Sequence, residues 1–197
     1  MHIARVWTKE EGLGTELGEI ELGHGTLTAT GFAIGTDPEP YRLEYHLTTG
    51  DAYVTAKLSV RAMGHGFRRA LELVRAPSGR WSCTTESEGY PTLGAPGGDL
   101  AGLDGALDCD LGLSPVTNSM PVLRHRLHET EGAVDFVMAW VSVPDLAVIP
   151  ARQRYTFVAR QGTSRIVRYE QSDFRSDIEF DEHGVVRNYP QLARTLR

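Results

Sequence analysis

Tyr41-Arg42-Leu43-Glu44-Tyr45-His46-Leu47-Thr48 decides the fold class. One parity reads Tyr41, Leu43, Tyr45, Leu47, and the other reads Arg42, Glu44, His46, Thr48. A strand sends successive side chains to opposite faces, so this stretch predicts a strand with one dry and one wet side. After the turn Thr49-Gly50-Asp51 the rhythm resumes, with Ala52, Val54, Ala56, Leu58 and Val60 against Tyr53, Thr55, Lys57, Ser59 and Arg61. Near the end, Phe174, Ile178 and Phe180 oppose Arg175, Asp177, Glu179 and Asp181.

Val134 to Val143 is apolar on both parities, as expected for a central strand covered on two faces. Thr26 to Ile34 is a weaker version of the same pattern, and Phe67 to Leu73 reads as a strand. Turn residues separate the runs at Gly23-His24-Gly25, Asp37-Pro38-Glu39-Pro40, Gly64-His65-Gly66, Pro77-Ser78-Gly79 and Glu182-His183-Gly184. Short strands with turns every ten residues or so predict an all-β barrel, sandwich or rolled sheet. The best helix candidate is the tail, Pro190 to Leu196, and the glycine-rich stretch Glu86 to Ala106 reads as a long loop or flap.

The 197 residues predict one domain, 1–197, able to bury its core without a metal or disulfide. Net charge is −6 with no Lys/Arg block, which counts against nucleic acid as a partner. Cys83 and Cys109 fit no zinc or redox spacing and are expected as free thiols. The N-terminal residues lack a hydrophobic signal core, and no apolar run reaches the ~20 residues a spanning helix needs. The expectation is a cytoplasmic protein without a transmembrane segment.

Asp104, Asp108 and Asp110 form an acidic cluster, in which Asp108 and Asp110 share a side if they lie on a strand. Two such carboxylates suit a cation, a sugar hydroxyl pair, turn capping or pairing with arginine. In Arg124-His125-Arg126-Leu127-His128, read as a strand, Arg124, Arg126 and His128 share one face, and His125 becomes a core histidine. No nucleophile elbow, phosphate loop or zinc motif is present, so no catalytic residue, metal or cofactor is assigned.

The second half carries a distinctive series. It runs Asp108-Cys109-Asp110-Leu111, then Pro115-Val116-Thr117-Asn118-Ser119-Met120-Pro121, then Gln153-Arg154-Tyr155, Arg168-Tyr169 and Phe174. It closes on Asp181-Glu182-His183-Gly184-Val185-Val186-Arg187-Asn188-Tyr189-Pro190. This series resembles the bacterial Putative glycolipid-binding family over nearly the whole chain. Trp7, Gly14-Thr15-Glu16, Gly31 and Gly79-Arg80-Trp81 agree more loosely. Tyr53 or Val54 stands where the family pattern has Trp, which weakens any claim of aromatic stacking there.

The resemblance implies a single antiparallel sheet curled into an open barrel or spiral β-roll, like the half-barrels of lipoprotein carriers. It implies a non-catalytic protein that holds a glycolipid or other amphipathic molecule in the concave face. Matching positions mark Asp108, Asp110, Thr117, Asn118, Arg124, Gln153, Tyr155 and Arg168 as ligand-binding. Such groups supply the planar donors and acceptors that a sugar head needs, while Thr117-Asn118 equally suits closure of a turn. The alternative reading is a hydrolase or isomerase working on a sugar or lipid through Asp108 and Asp110.

Overall fold

A computed structural model describes residues 1–89 and 92–196. The first half is a run of hairpins: β1 (His2–Lys9), β2 (Gly14–Leu22), β3 (Leu27–Gly35), β4 (Tyr41–Thr49), β5 (Thr55–Gly64), β6 (Phe67–Arg75) and β7 (Trp81–Gly89). The second half is β8 (Asp108–Leu111), a short helix α1 (Ser119–Arg124), β9 (Ala133–Val141), β10 (Val148–Gln161), β11 (Ser164–Gln171), β12 (Phe174–Phe180), β13 (Val186–Tyr189) and β14 (Ala193–Thr195).

All fourteen strands join one sheet in the order β7-β6-β5-β4-β3-β2-β1-β14-β13-β12-β11-β10-β9-β8. The sheet is not closed, and β7 and β8 form its two edges. Every neighbouring pair is antiparallel except β8 and β9, which run parallel. The sheet is therefore mixed, not wholly antiparallel as expected. The long connection through α1 allows this, because parallel neighbours need a crossover and cannot be joined by a tight hairpin.

The alternation in β4 survives intact: Tyr41, Leu43, Tyr45 and Leu47 are buried, and Arg42, Glu44 and His46 are exposed. The next run does not. Residues Asp51–Tyr53 form a 3-10 turn, and β5 begins only at Thr55. The register with β4 slips between Thr48 and Thr49, so Ala56 is an extra residue and Thr55 turns inward. There the Thr55 hydroxyl meets Cys109 and Met120 instead of water.

The inner face is not an empty trough. Side chains from β1 to β7, including Trp7, Ile20, Leu47, Leu58 and Trp81, pack in one cluster with Leu103, Cys109, Leu111, Met120 and Leu123. A second cluster gathers Met138, Tyr155, Val167, Ile178 and Phe180 around Val122 and Leu127. One six-residue helix thus feeds both clusters, Met120 and Leu123 to one side and Val122 to the other. A sheet whose one face touches both sides of one helix has to curl around it. The long loop completes the plug, since the Trp81 indole and the Arg75 guanidinium both donate to the Ala106 carbonyl.

Several local expectations change. The tail is not helical: Pro190 and Gln191 sit in a turn, and Ala193–Thr195 pairs with β1 and β13. Strand pairing there satisfies backbone groups that one short exposed turn of helix leaves to water. Asp181 is buried rather than solvent-facing, and accepts from the His183 and Val185 amides and from Arg5. The flap begins later than Glu86, because β7 runs to Gly89; Pro91 lies outside the described residues. Cys83 and Cys109 are free thiols, and burial pushes Cys109 up to about 12.

Gly31 shows how tightly the curl is packed. It faces Tyr45 across β3 and β4, and a methyl group there would run into the Tyr45 ring. That ring cannot swing away freely, since its hydroxyl donates to Glu16 Oε1 at 2.9 Å. Gly31→Ala is expected to cost about 1–3 kcal/mol through overpacking, read as a lower urea midpoint with an unchanged slope.

Candidate functional site

The short strand β8 sets the polar heart of the molecule. Its parallel register places Asp108 beside Met138 and Asp110 beside Trp140. Asp108 and Asp110 share a side, as the spacing predicted, yet they meet different partners. Asp108 is gripped by the Arg124 guanidinium, Nη1 to Oδ1 at 2.8 Å and Nη2 to Oδ2. Burial still raises the Asp108 pKa, and the bonds to Arg124 oppose that rise.

Asp110 accepts instead from neutral groups, Thr117 Oγ1 at 2.9 Å and Gln153 Nε2 at 2.6 Å. Its pKa is raised, chiefly by burial and further by Asp108, against the lowering effect of its two hydrogen bonds. Thr117 also accepts from the Leu111 amide at 3.2 Å, so its hydroxyl both closes the turn and holds the carboxylate. Gln153 donates onward to Gln171 Oε1 at 3.3 Å, which also accepts from the Tyr169 hydroxyl. Asn118 donates from Nδ2 to the Tyr155 hydroxyl at 2.8 Å.

Beyond this network lies an open recess of ≈ 580 Å³. Asp110, Asn118 and Gln171 supply polar lining, and Trp140, Tyr169, Phe174 and Tyr189 supply aromatic walls. Tyr169, Phe174 and Tyr189 contact one another, with Tyr169–Tyr189 centroids at 5.8 Å, and Tyr155 packs edge-on behind Tyr169 at 5.3 Å. Burial holds the hydroxyls of Tyr155, Tyr169 and Tyr189 well above the usual phenol range. They are neutral hydrogen-bonding groups at any working pH.

A second groove of ≈ 510 Å³ adjoins the first and shares Asp37, Leu113, Phe174 and Leu192 with it. Leu13, Tyr41 and Gln191 extend this groove along the sheet. Leu113 stands between the two spaces on a left-handed backbone, φ 62°, and is partly exposed. Its loop is held down by Lys9, which donates to the Leu113 carbonyl and to buried Glu16, and by Ser114, which donates to Glu16 Oε1 at 2.6 Å.

Of the eight residues marked from sequence, Asp110, Thr117 and Gln153 share one buried hydrogen-bond network and Asn118 and Tyr155 form a separate buried pair; Asp110 and Asn118 reach the recess. Asp108 and Arg124 form the adjoining ion pair and do not line it. Arg168 is elsewhere. It lies on the other face of β11 from Tyr169 and pairs with Asp177 across β12, Nε to Oδ1 at 2.7 Å. The stretch from Arg124 to His128 is a helix end and turn, not a strand, which exposes His125 against Phe136 and buries His128. Gln171, Leu113, Asp37 and Asp173 are lining residues that no sequence pattern singled out. They sit in turns and at a strand end, where neither periodicity nor motif points to a role.

The chain matches, over residues 4–195, a family described as "Putative glycolipid-binding". It belongs to that family. The fold of this family member is also similar to a crystal structure of a DUF1089 family protein from Pseudomonas aeruginosa, with 24% identity, 92% of each chain covered and a TM-score of 0.67. Among curated proteins no match was found. Among the described residues, no helix is long and apolar enough to cross a membrane, and no group of three metal-ligating side chains is assembled.

Proposed function

We propose that this family member binds an amphipathic glycolipid-type molecule, with its sugar head in the aromatic recess and its apolar part in the adjoining groove. One observation carries the reading: a polar, ring-walled recess adjoins a second groove, with Asp37, Leu113, Phe174 and Leu192 lining both. Sugar rings present apolar C–H faces and hydroxyl edges, which suit Trp140 and Tyr169 together with Asn118 and Gln171. A volume of several hundred Å³ is the usual size of a small-ligand site. Because side chains fill the concave face, the adjoining groove is the space left for the tail in this reading.

The alternative of a two-carboxylate enzyme finds less support in the geometry. Asp108 is engaged on both oxygens by Arg124, and only Asp110 of the pair lines the recess.

The test is native mass spectrometry of gently purified protein, followed by titration with alkyl glycosides. Phe174 is 39% exposed, so Phe174→Ala is expected to leave stability within about 1 kcal/mol. The same change should weaken alkyl glycoside binding about tenfold, as for an aromatic contact at a binding surface. Absence of binding by the parent protein to any glycoside offered would overturn the reading.

A further inference from the structure

Among the described residues four acidic side chains are buried: Glu16, Asp108, Asp110 and Asp181. Three have a cation. Lys9 lies 3.1 Å from Glu16, Arg5 lies 2.8 Å from Asp181, and Arg124 clasps Asp108. Asp110 has none among the described residues, and it is the one that faces the recess. Buried carboxylates are normally paired, because an isolated charge out of water is costly.

The surroundings of Asp110 point the same way. Among the described residues, those lining the recess include two further carboxylates, Asp37 and Asp173 at the exposed rim, and no lysine, arginine or histidine. Asn118 is 3% exposed, gives its amide nitrogen to Tyr155 and has no partner for Oδ1 among the described residues. The walls are aromatic faces, which attract cations. A protonated primary amine offers three N–H donors, matching a carboxylate and an amide oxygen with a ring face beside them.

Resting on the glycolipid reading above, we infer that the head of the ligand carries a protonated amine, as in an amino sugar, whose ammonium is the missing counter-ion of Asp110. The ligand completes the ion pairing that the fold supplies to every other buried acid. The same recess disfavours phosphate or sulfate heads, since three carboxylates face them with no cation to offset the repulsion.

Three probes with one octyl tail separate the possibilities: octyl glucoside, its 2-amino-2-deoxy analogue and the N-acetylated form of that analogue. The amine is expected to bind about tenfold more tightly than the other two, as a charge-assisted contact implies. Asp110→Asn should bring the three affinities together. In case that variant does not fold, a crystal structure of the parent with the amine probe should place its nitrogen within about 4 Å of an Asp110 oxygen, the ion-pair range. Equal binding of the three probes by the parent, or an amine seated away from Asp110, overturns this inference and leaves the glycolipid reading standing. Binding of none of them overturns both.

Discussion

Arg124→Ala is expected to destabilise the protein by about 3–5 kcal/mol at neutral pH, the cost of leaving a buried charge without its partner. The Asp108 side chain is 1% exposed and that of Arg124 8%, so water cannot replace the guanidinium. The pH dependence identifies the cause. Burial already raises the folded-state pKa of Asp108, and Arg124 is the main influence holding it down. Without Arg124 that pKa rises further, so the folded variant binds a proton that the unfolded chain releases. Stability then falls as pH rises through the raised value, and the deficit relative to the parent shrinks on acidification. Urea denaturation of both proteins at pH 7.5 and pH 5 reads this directly. The double variant Arg124→Met with Asp108→Asn should recover most of the loss, because no charge is then stranded. A pH-independent loss would trace the effect to packing of Arg124 on Phe136, whose ring centroid lies 5.8 Å from the guanidinium carbon.

Trp7→Ala is the second large effect, about 3–5 kcal/mol from the cavity alone. Trp7 is fully buried on β1, a strand at the middle of the sheet, and its indole donates to the Val186 carbonyl at 3.0 Å. That bond ties the first half of the chain to β13. Truncation also leaves the carbonyl without its donor, adding about 1–3 kcal/mol. Since whole-domain stability is about 5–15 kcal/mol, a large unfolded fraction at 37 °C is expected. Trp7→Phe retains most of the packing and should show mainly the hydrogen-bond loss. Thermal denaturation by circular dichroism distinguishes the two, and a Trp7→Ala loss below 1 kcal/mol would mean that the halves are held together elsewhere.

The strands were readable because alternation reflects something local: whichever side of β4 meets the core, residues two apart meet it together. The same logic failed at Ala52 to Thr55, where a bulge at Ala56 shifts the parity and no residue type announces it. α1 was unreadable for a different reason. Six residues including Pro121 show no helical period, and such a short helix persists through the clusters packed on its two sides. Arg168 stands apart from the recess, as its parity opposite Tyr169 implies, because neighbouring residues of a strand face opposite sides.

Sequence alone therefore determined a sheet of many short strands and its apolar side, because period-two patterning is a short-range property. Tertiary structure alone decided that the curl is plugged, that β8 runs parallel to β9, and that Asp110 is the buried acid left without a cation. The buried ion pairs span very different separations, Lys9 and Glu16 by 7 positions, Arg124 and Asp108 by 16, and Arg5 and Asp181 by 176. Which acid finds a base is set by strand register and by the path of the plug, and neither is written within any window of neighbouring residues.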